Sequence, residues 1–277
     1  MVFLLLKLTY HSRTNIKSLL RDGQIHVDGR IVTQHNYHLI GGQTIEISQK
    51  KSSKPAQRPT GIRILFEDAY LIIVEKEAGL LSIATDKGDE LTAYRILSEH
   101  VKKQNPKNKI FIVHRLDRDT SGVMVFAKSE DIKNKLQSAW DPNTKERTYI
   151  ALVEGKPNPP QGTIRSYLQE SKATIVYSSK NPERGQLAIT HYETLQSNNH
   201  FSLLKVELET GRKNQIRVHM QELGHSVVGD KKYGASQNPL HRLGLHAWVL
   251  GFTHPSTNSY LRYESKIPAK FLEVFGK

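Results

Sequence analysis

The stretch His114-Arg115-Leu116-Asp117-Arg118-Asp119-Thr120-Ser121-Gly122 lies between two apolar runs at residues 110–113 and 123–126. The runs predict two buried strands with a polar connection between them. A structural turn would account for the aspartates, the serine and the glycine, because these residues favour turns. Two arginines and two aspartates beside a buried strand favour an active-site loop, because functional residues concentrate on loops held by a rigid scaffold.

Outward from this loop, residues 61–277 contain many short strand-like runs and fewer helical segments. The runs are 71–74, 110–113, 123–126, 149–153, 201–206 and 246–250, and the helical segments are 92–101, 130–139, 214–223 and 269–275. Strands and helices do not alternate regularly, as they would in a doubly wound fold. The pattern therefore predicts an α+β domain with a mostly antiparallel central sheet.

Residues 1–48 form a separate pattern, which predicts a small α+β domain. A helical segment at 12–21 stops before Gly23, and strand-like residues flank an Asp28-Gly29 turn, a strong hairpin signal. Another strand is predicted at 44–47. Residues 49–60 are polar and basic without apolar periodicity, which predicts a flexible linker between this domain and the domain at 61–277.

Three cations recur at every fourth residue of the first predicted helix: Arg13, Lys17 and Arg21. They would line one face, although like charges at this spacing slightly destabilise a helix. An ordinary solvated face is one explanation. A phosphate backbone bound along that face is the other, and on it the three residues are candidate RNA-binding residues.

Composition favours an anionic partner. The 277 residues carry a formal net charge of +13, and nucleic acid is the commonest partner of such basic proteins. The chain has no cysteine, which excludes disulfides, thiolate catalysis and cysteine-ligated zinc. No apolar run approaches the roughly 20 residues needed to cross a bilayer. We expect a cytoplasmic monomer that binds no membrane.

The loop quoted above resembles the signature loop of RluA-type pseudouridine synthases, which are RNA-modifying isomerases. Further segments resemble the family's motifs in the same order: residues 147–155, residues 211–219, and the group 229–230, 233–234, 245–247 and 254–255. The resemblance covers nearly all of residues 61–277. It implies a pseudouridine synthase-like catalytic domain that needs neither a metal nor an organic cofactor.

The resemblance assigns roles to five residues of this domain. Asp117 would be the nucleophile, attacking either the uracil ring or the ribose C1′, and Arg217 would pair with it to keep it ionised. Tyr149 would lie against the base and assist proton removal, and Ile216 would pack on the uracil. Arg115 would fill the space left in the RNA helix when the target nucleotide is flipped out.

The small N-terminal domain resembles the S4 RNA-binding module. The likeness covers about 45 residues and rests on Ser12-Arg13, Ile16-Lys17, Gly23, Val27-Asp28-Gly29 and Gly42. The arginine motif departs from the family's usual Gly-Arg-Thr-His-Gln-Ile-Arg, because Lys213 and Asn214 replace the Thr-His pair. We expect this departure to alter local RNA contacts while the positions assigned to catalysis are kept.

Together these patterns predict an enzyme that isomerises specific uridines to pseudouridine in structured RNA, with ribosomal RNA favoured over transfer RNA. A non-catalytic RNA-binding or ribosome-assembly factor with a synthase-like domain is the main alternative. A hydrolase with an aspartate nucleophile is a third, but the sequence contains no P-loop or H-E-x-x-H motif to support it.

Overall fold

A computed structural model describes residues 2–8, 10–21, 24–32, 37, 39–48, 61–84, 90–138, 144–171 and 173–276. The chain divides into two compact units, residues 1–60 and 61–277. Gly23 and the predicted linker at 49–60 lie outside the described residues. Within the described ranges, no helix is both long enough and apolar enough to span a membrane.

The smaller unit packs two helices with a three-stranded antiparallel sheet of order β2-β1-β3. Its elements are α1 (Val2–Lys7), α2 (Arg13–Arg21), β1 (Ile25–Val27), β2 (Arg30–Ile31) and β3 (Ile45–Ile47). The apolar side chains of Leu4, Ile16, Leu20 and Ile25 form its core. Helix α2 therefore turns its apolar face inward and leaves Arg13 and Lys17 exposed.

The Asp28-Gly29 turn connects β1 to β2. Both residues have positive φ, 48° and 75°, the backbone that two-residue hairpins require. The Asp28 carboxylate accepts hydrogen bonds from the backbone N–H of Thr44 at 2.8 Å and the side chain of Gln43 at 2.9 Å. The turn thereby also holds the chain that leads into β3.

The larger unit contains eleven strands and four α-helices among its described residues. They are β4 (Ile62–Glu67), β5 (Leu71–Lys76), α3 (Ala93–Gln104), β6 (Phe111–Ile112), β7 (Ser121–Ala127), α4 (Glu130–Ser138), β8 (Thr144–Glu154), β9 (Gln161–Glu170), β10 (Val176–Ser179), β11 (Gln186–Ser197), β12 (Phe201–Leu208), α5 (Gln215–Glu222), β13 (Leu245–Thr253), β14 (Tyr260–Glu264) and α6 (Ala269–Glu273).

These strands form one sheet of order β10-β9-β11-β12-β8-β13-β7-β5-β4, with β14 beside β13 and β6 beside β7. Among the strand pairs of the described residues, β7 and β13 alone run parallel. The predicted α+β class with a mostly antiparallel sheet is confirmed. Strands β5 and β7 are almost wholly buried, which explains their continuous apolar sequences.

Gly122 permits the close approach of β7 to β13. Its φ is 118°, and a Cβ atom there would lie 2.0 Å from the carbonyl oxygen of Ala247. Any other residue would push the two strands apart. The glycine that ends the polar loop therefore fixes the start of β7 against the centre of the sheet.

His219 ties α5 to the strands beneath it. The side chain is fully buried, with Nδ1 2.8 Å from Oγ1 of Thr190 and Nε2 3.0 Å from Oγ of Ser166. Burial lowers the pKa of His219 to about 4. Between pH 4 and 6.5 the unfolded chain therefore binds a proton that the folded chain does not, so acid in this window destabilises the fold.

We expect His219→Gln to weaken the pH dependence of stability. In the wild type, this histidine should remove roughly 1–2 kcal/mol of unfolding free energy between pH 7 and pH 5. Urea titrations at both pH values measure the change, with His200→Gln on the exposed β11–β12 connection as control. An unchanged difference between the two pH values in His219→Gln would contradict the prediction.

Candidate active site

The polar loop between β6 and β7 forms one wall of a cleft with about 400 Å³ of empty space. Arg115, Asp117 and Thr120 line this wall, Tyr149 of β8 lines another part, and the start of α5 completes it. Five of the eight predicted site residues meet here: Arg115, Asp117, Tyr149, Ile216 and Arg217. Arg13, Lys17 and Arg21 belong instead to α2 of the smaller unit.

Arg217 joins the polar loop to the far side of the cleft. Its Nη1 donates to Oδ2 of Asp117 at 3.0 Å and to Oδ1 of Asn214 at 3.1 Å. Its Nε and Nη2 donate to the two carboxylate oxygens of Asp230 at 2.6 and 2.8 Å. One guanidinium therefore binds two carboxylates, and the Asp230 pair has the bidentate geometry of strong arginine contacts.

The two carboxylates differ in exposure. The Asp230 side chain is 1% exposed, whereas that of Asp117 is 29% exposed and that of Arg217 is 14% exposed. Burial alone would lower the pKa of Arg217, but the hydrogen bonds and charge of Asp230, followed by those of Asp117, raise it above its ordinary value. The cation is thus permanent, and Asp117 is its solvent-accessible partner.

Asn214 and Tyr233 complete the surroundings of Arg217. The Asn214 amide donates to the Tyr233 hydroxyl at 2.9 Å, and the Arg217 guanidinium lies 4.8 Å from the centre of the Tyr233 ring. Asn214 occupies the N-cap position of α5 with φ 54° and ψ 20°, a left-handed backbone that asparagine adopts more readily than most residues, and its side chain makes no capping hydrogen bond. Its side chain therefore links Arg217 to Tyr233 instead.

Gln215 anchors the first turn of α5 to the sheet. Its Oε1 accepts from the Thr210 hydroxyl and the Arg212 backbone N–H, both at 2.9 Å. Its Nε2 donates to the Ile189 carbonyl at 3.0 Å and the Thr190 hydroxyl at 2.9 Å. The buried glutamine fixes the helix so that the next two residues face the cleft.

Two side chains from outside the polar loop hold its backbone. The Ser82 hydroxyl donates to the Leu116 carbonyl at 2.7 Å and accepts from the Leu116 N–H at 3.1 Å. The buried Lys76 ammonium donates to the Arg118 carbonyl at 3.0 Å. Burial is the main cause that lowers the pKa of Lys76 to about 8. The backbone on both sides of Asp117 is therefore supported.

Tyr149 and Ile216 provide the apolar part of the cleft. Ile216 is 4% exposed and belongs to the core cluster against which the partly buried Tyr149 packs. Burial raises the pKa of Tyr149 to about 12; the charge of Arg147 opposes this rise and that of Asp117 adds to it. The phenol is therefore protonated at neutral pH.

Sequence reasoning missed three polar residues of this site. Asp230 belongs to the C-terminal motif group, which assigns it no role, and Asn214 stands out only as a departure from the arginine motif. Arg212 lines the cleft but has no predicted role. Nothing in the sequence around Asp230, which follows Gly229, indicates that its side chain is buried against Arg217, thirteen residues earlier. Among the residues described by the structure, no group of three or more His, Asp or Glu is placed to hold a metal ion.

Comparison with known proteins identifies the family. A model of the RNA pseudouridylate synthase family matches residues 70–222. The chain belongs to this family. Together with the relatives described next, this match confirms the predictions of an RluA-type pseudouridine synthase and of an isomerase.

Relatives of this synthase family match most of the chain. The uncharacterized RNA pseudouridine synthase YhcT of Bacillus subtilis is 35% identical over 227 residues, covering 81% of this chain and 75% of that protein. Ribosomal large subunit pseudouridine synthase D of Pseudomonas aeruginosa is 32% identical over 282 residues, covering 95% and 86%. The structure of human RNA pseudouridylate synthase domain containing 4 covers 76% of this chain and 90% of its own, with a TM-score of 0.63 and 24% identity, and supports the fold alone.

We expect Asp230→Asn to lower kcat by about 10- to 100-fold while the KM for RNA changes little. An amide cannot accept both N–H groups of the arginine fork, so Arg217 would no longer hold Asp117 in place. Steady-state kinetics of pseudouridine formation measure both constants. Asp131→Asn, on the exposed face of α4, removes a carboxylate remote from Arg217 and serves as control. A rise in KM without loss of kcat would contradict this positioning role.

Proposed function

We propose that the chain isomerises specific uridines to pseudouridine in structured RNA, with Asp117 as the nucleophile. The observation that carries the proposal is the environment of Asp117 in the cleft. Arg217 occupies its Oδ2, and no residue that the structure describes donates a hydrogen bond to its Oδ1. One oxygen is thus held while the other is available to a substrate, as covalent catalysis by a carboxylate requires.

Two routes use this carboxylate. On the first, an Asp117 oxygen bonds to ribose C1′ as the C1′–N1 bond breaks, and the electron pair stays on uracil N1. The freed base turns, C5 bonds to C1′ as the ester bond breaks, C5 loses its proton and N1 gains one. The second route begins with addition of Asp117 to C6 of the uracil ring.

Tyr149 is proposed to pack against the base and to take part in the final proton transfer. Because its pKa is raised to about 12, the phenol holds its proton at neutral pH. The hydroxyl is therefore a hydrogen-bond donor when substrate arrives. It can accept the C5 proton only if it passes its own proton on, for example to N1 or to water.

Base flipping is proposed because the nucleophile lies inside a cleft that a stacked, paired uridine cannot enter. Arg115 is exposed at the rim of this cleft and makes no ion pair with any described residue. Its guanidinium is therefore available to occupy the vacated position in the RNA. Ile216 is proposed to contact the flipped base from the apolar floor.

The smaller unit is proposed to be an S4-like RNA-binding domain, joined to the catalytic domain by the linker at 49–60. Arg13 and Lys17 are exposed on α2, and they are proposed, with Arg21, to contact phosphates. The preference for ribosomal RNA draws on this likeness. It also draws on the name of the relative from Pseudomonas aeruginosa, a ribosomal large subunit pseudouridine synthase.

Replacement of the nucleophile tests the proposal directly. We expect Asp117→Ala and Asp117→Asn to abolish pseudouridine formation, because neither side chain can form the covalent bond, while RNA affinity is largely kept. Pseudouridine mapping across total RNA, in cells with the wild type, with a variant or without the gene, identifies the target at the same time. Pseudouridine formed by purified Asp117→Ala would refute the role of Asp117 as nucleophile. An unchanged pseudouridine content of RNA in the gene deletion would favour a non-catalytic RNA-binding factor.

Replacement of Arg115 tests base flipping. We expect Arg115→Ala to reduce single-turnover rates about tenfold or more on a base-paired target uridine, because extrusion from a stack costs a few kcal/mol. The effect should be much smaller on an otherwise matched RNA whose target is unpaired. Arg118→Ala is the matched control, because that arginine is in the same loop but is paired with Glu90 at 3.1 Å. Equal losses on both RNAs would contradict the role.

A further inference from the structure

A second cavity lies at the opposite end of β7 from the polar loop that carries Asp117. This lysine pocket, lined in part by Lys107, Lys109, Phe111, Lys128 and Glu130, contains about 990 Å³ of empty space open to solvent. It is formed where the C-terminal end of α3, strand β6 and the start of α4 come together. None of the roles proposed above uses it.

The charges of the pocket do not cancel. Lys128 is paired with Glu67 at 2.7 Å, and Glu130 is paired with Lys133 at 3.4 Å. Lys107 and Lys109 are exposed, and neither forms an ion pair with any residue that the structure describes. The pocket and its paired partners therefore carry an excess of two positive charges.

Lys107 and Lys109, the two lysines without an ion pair among the described residues, lie respectively within and directly after a hydrogen-bonded turn. The Asn105 side chain accepts from the Lys107 N–H at 2.9 Å, and the Asn105 carbonyl accepts from the Asn108 N–H at 2.9 Å. The Asn108 amide donates to the Val101 carbonyl at the end of α3 at 3.3 Å. Because these bonds fix the backbone of the turn, little backbone entropy is lost when the two ammonium groups bind a ligand.

We infer that the lysine pocket binds the phosphate backbone of the substrate RNA at a point remote from the target uridine. This inference rests on the proposed function for its choice of polyanion. Phe111 pairs with Ala127 at the end of β7, and the catalytic loop joins β7 at Ser121. Six residues of strand separate the two sites by about 20 Å, a distance that a structured RNA readily spans.

The separation also determines what the pocket can affect. A distance of about 20 Å exceeds the Debye length of about 8 Å at physiological ionic strength, so the pocket lysines do not act on Asp117 through solvent. Their contribution is to affinity and to the register of the RNA. We therefore expect a change in KM and Kd with kcat retained at saturating RNA.

The test compares Lys107→Ala/Lys109→Ala with Lys156→Ala/Lys270→Ala, which removes the same charge from exposed lysines outside the pocket. The probe is a uridine-containing stem-loop transcript with its flanking stem, taken from the RNA that the mapping identifies or, where it identifies none, from ribosomal RNA that the wild type binds. The pocket variant should bind this RNA roughly three- to tenfold more weakly at 100 mM salt. Because two phosphate contacts are lost, the magnitude of the slope of log K against log salt concentration should decrease by about 1.5. Lys107→Arg/Lys109→Arg should bind like the wild type.

A short transcript provides a second arm. An RNA that contains the target but cannot span about 20 Å should be bound equally by the wild type and the pocket variant. Equal losses in the pocket variant and the control variant, or a fall in kcat at saturating RNA, would overturn the inference. If the wild type binds the long transcript but makes no pseudouridine, the proposed function fails, while the comparison of affinities still decides whether the pocket binds RNA.

Discussion

The site depends on one buried cation, Arg217, held between two carboxylates of unequal exposure. Burying an isolated charge is costly, so Arg217 can sit at the start of α5 only because Asp230 neutralises it from within the protein. The arginine then reaches Asp117, one hundred residues earlier in the chain, with its remaining donors. The inner pair with Asp230 is buried, and the outer pair leaves the Asp117 carboxylate accessible from the cleft, so one guanidinium binds a buried and an accessible carboxylate at once.

The sheet makes this arrangement possible by bringing together residues of strands that are distant in the sequence. The parallel contact of β7 with β13, which needs the small Gly122, sets the position from which the polar loop departs. Strand β8 lies on the other side of β13 and supplies Tyr149. Gln215 then fixes α5 over β11. A displacement at any of these points would change the Asp117–Arg217 distance, because the two residues share no local segment.

Patterns that arise from burial were predictable from the sequence. The runs that became β5 and β7 are apolar because both sheet faces are covered, and the polar loop between 110–113 and 123–126 stands out against them. Strands β4, β9, β10, β11 and β14 lie outside the predicted apolar runs, because they are partly exposed and polar side chains interrupt their apolar residues. The Asp117–Arg217 pair was expected only through the family resemblance, and Asp230 was missed because long-range pairing of charges leaves no periodicity.

The departure at Asn214 shows how such a site can vary. Where the family's arginine motif usually has a histidine, this chain has the Asn214 amide, which accepts a hydrogen bond from Arg217 and donates one to Tyr233. An amide does not ionise between pH 5 and 8, whereas an unperturbed imidazole does. In this chain, the group that orients the arginine from the cleft side therefore keeps the same donor and acceptor at every physiological pH. The substituted position thus still contacts Arg217, which in turn binds Asp117.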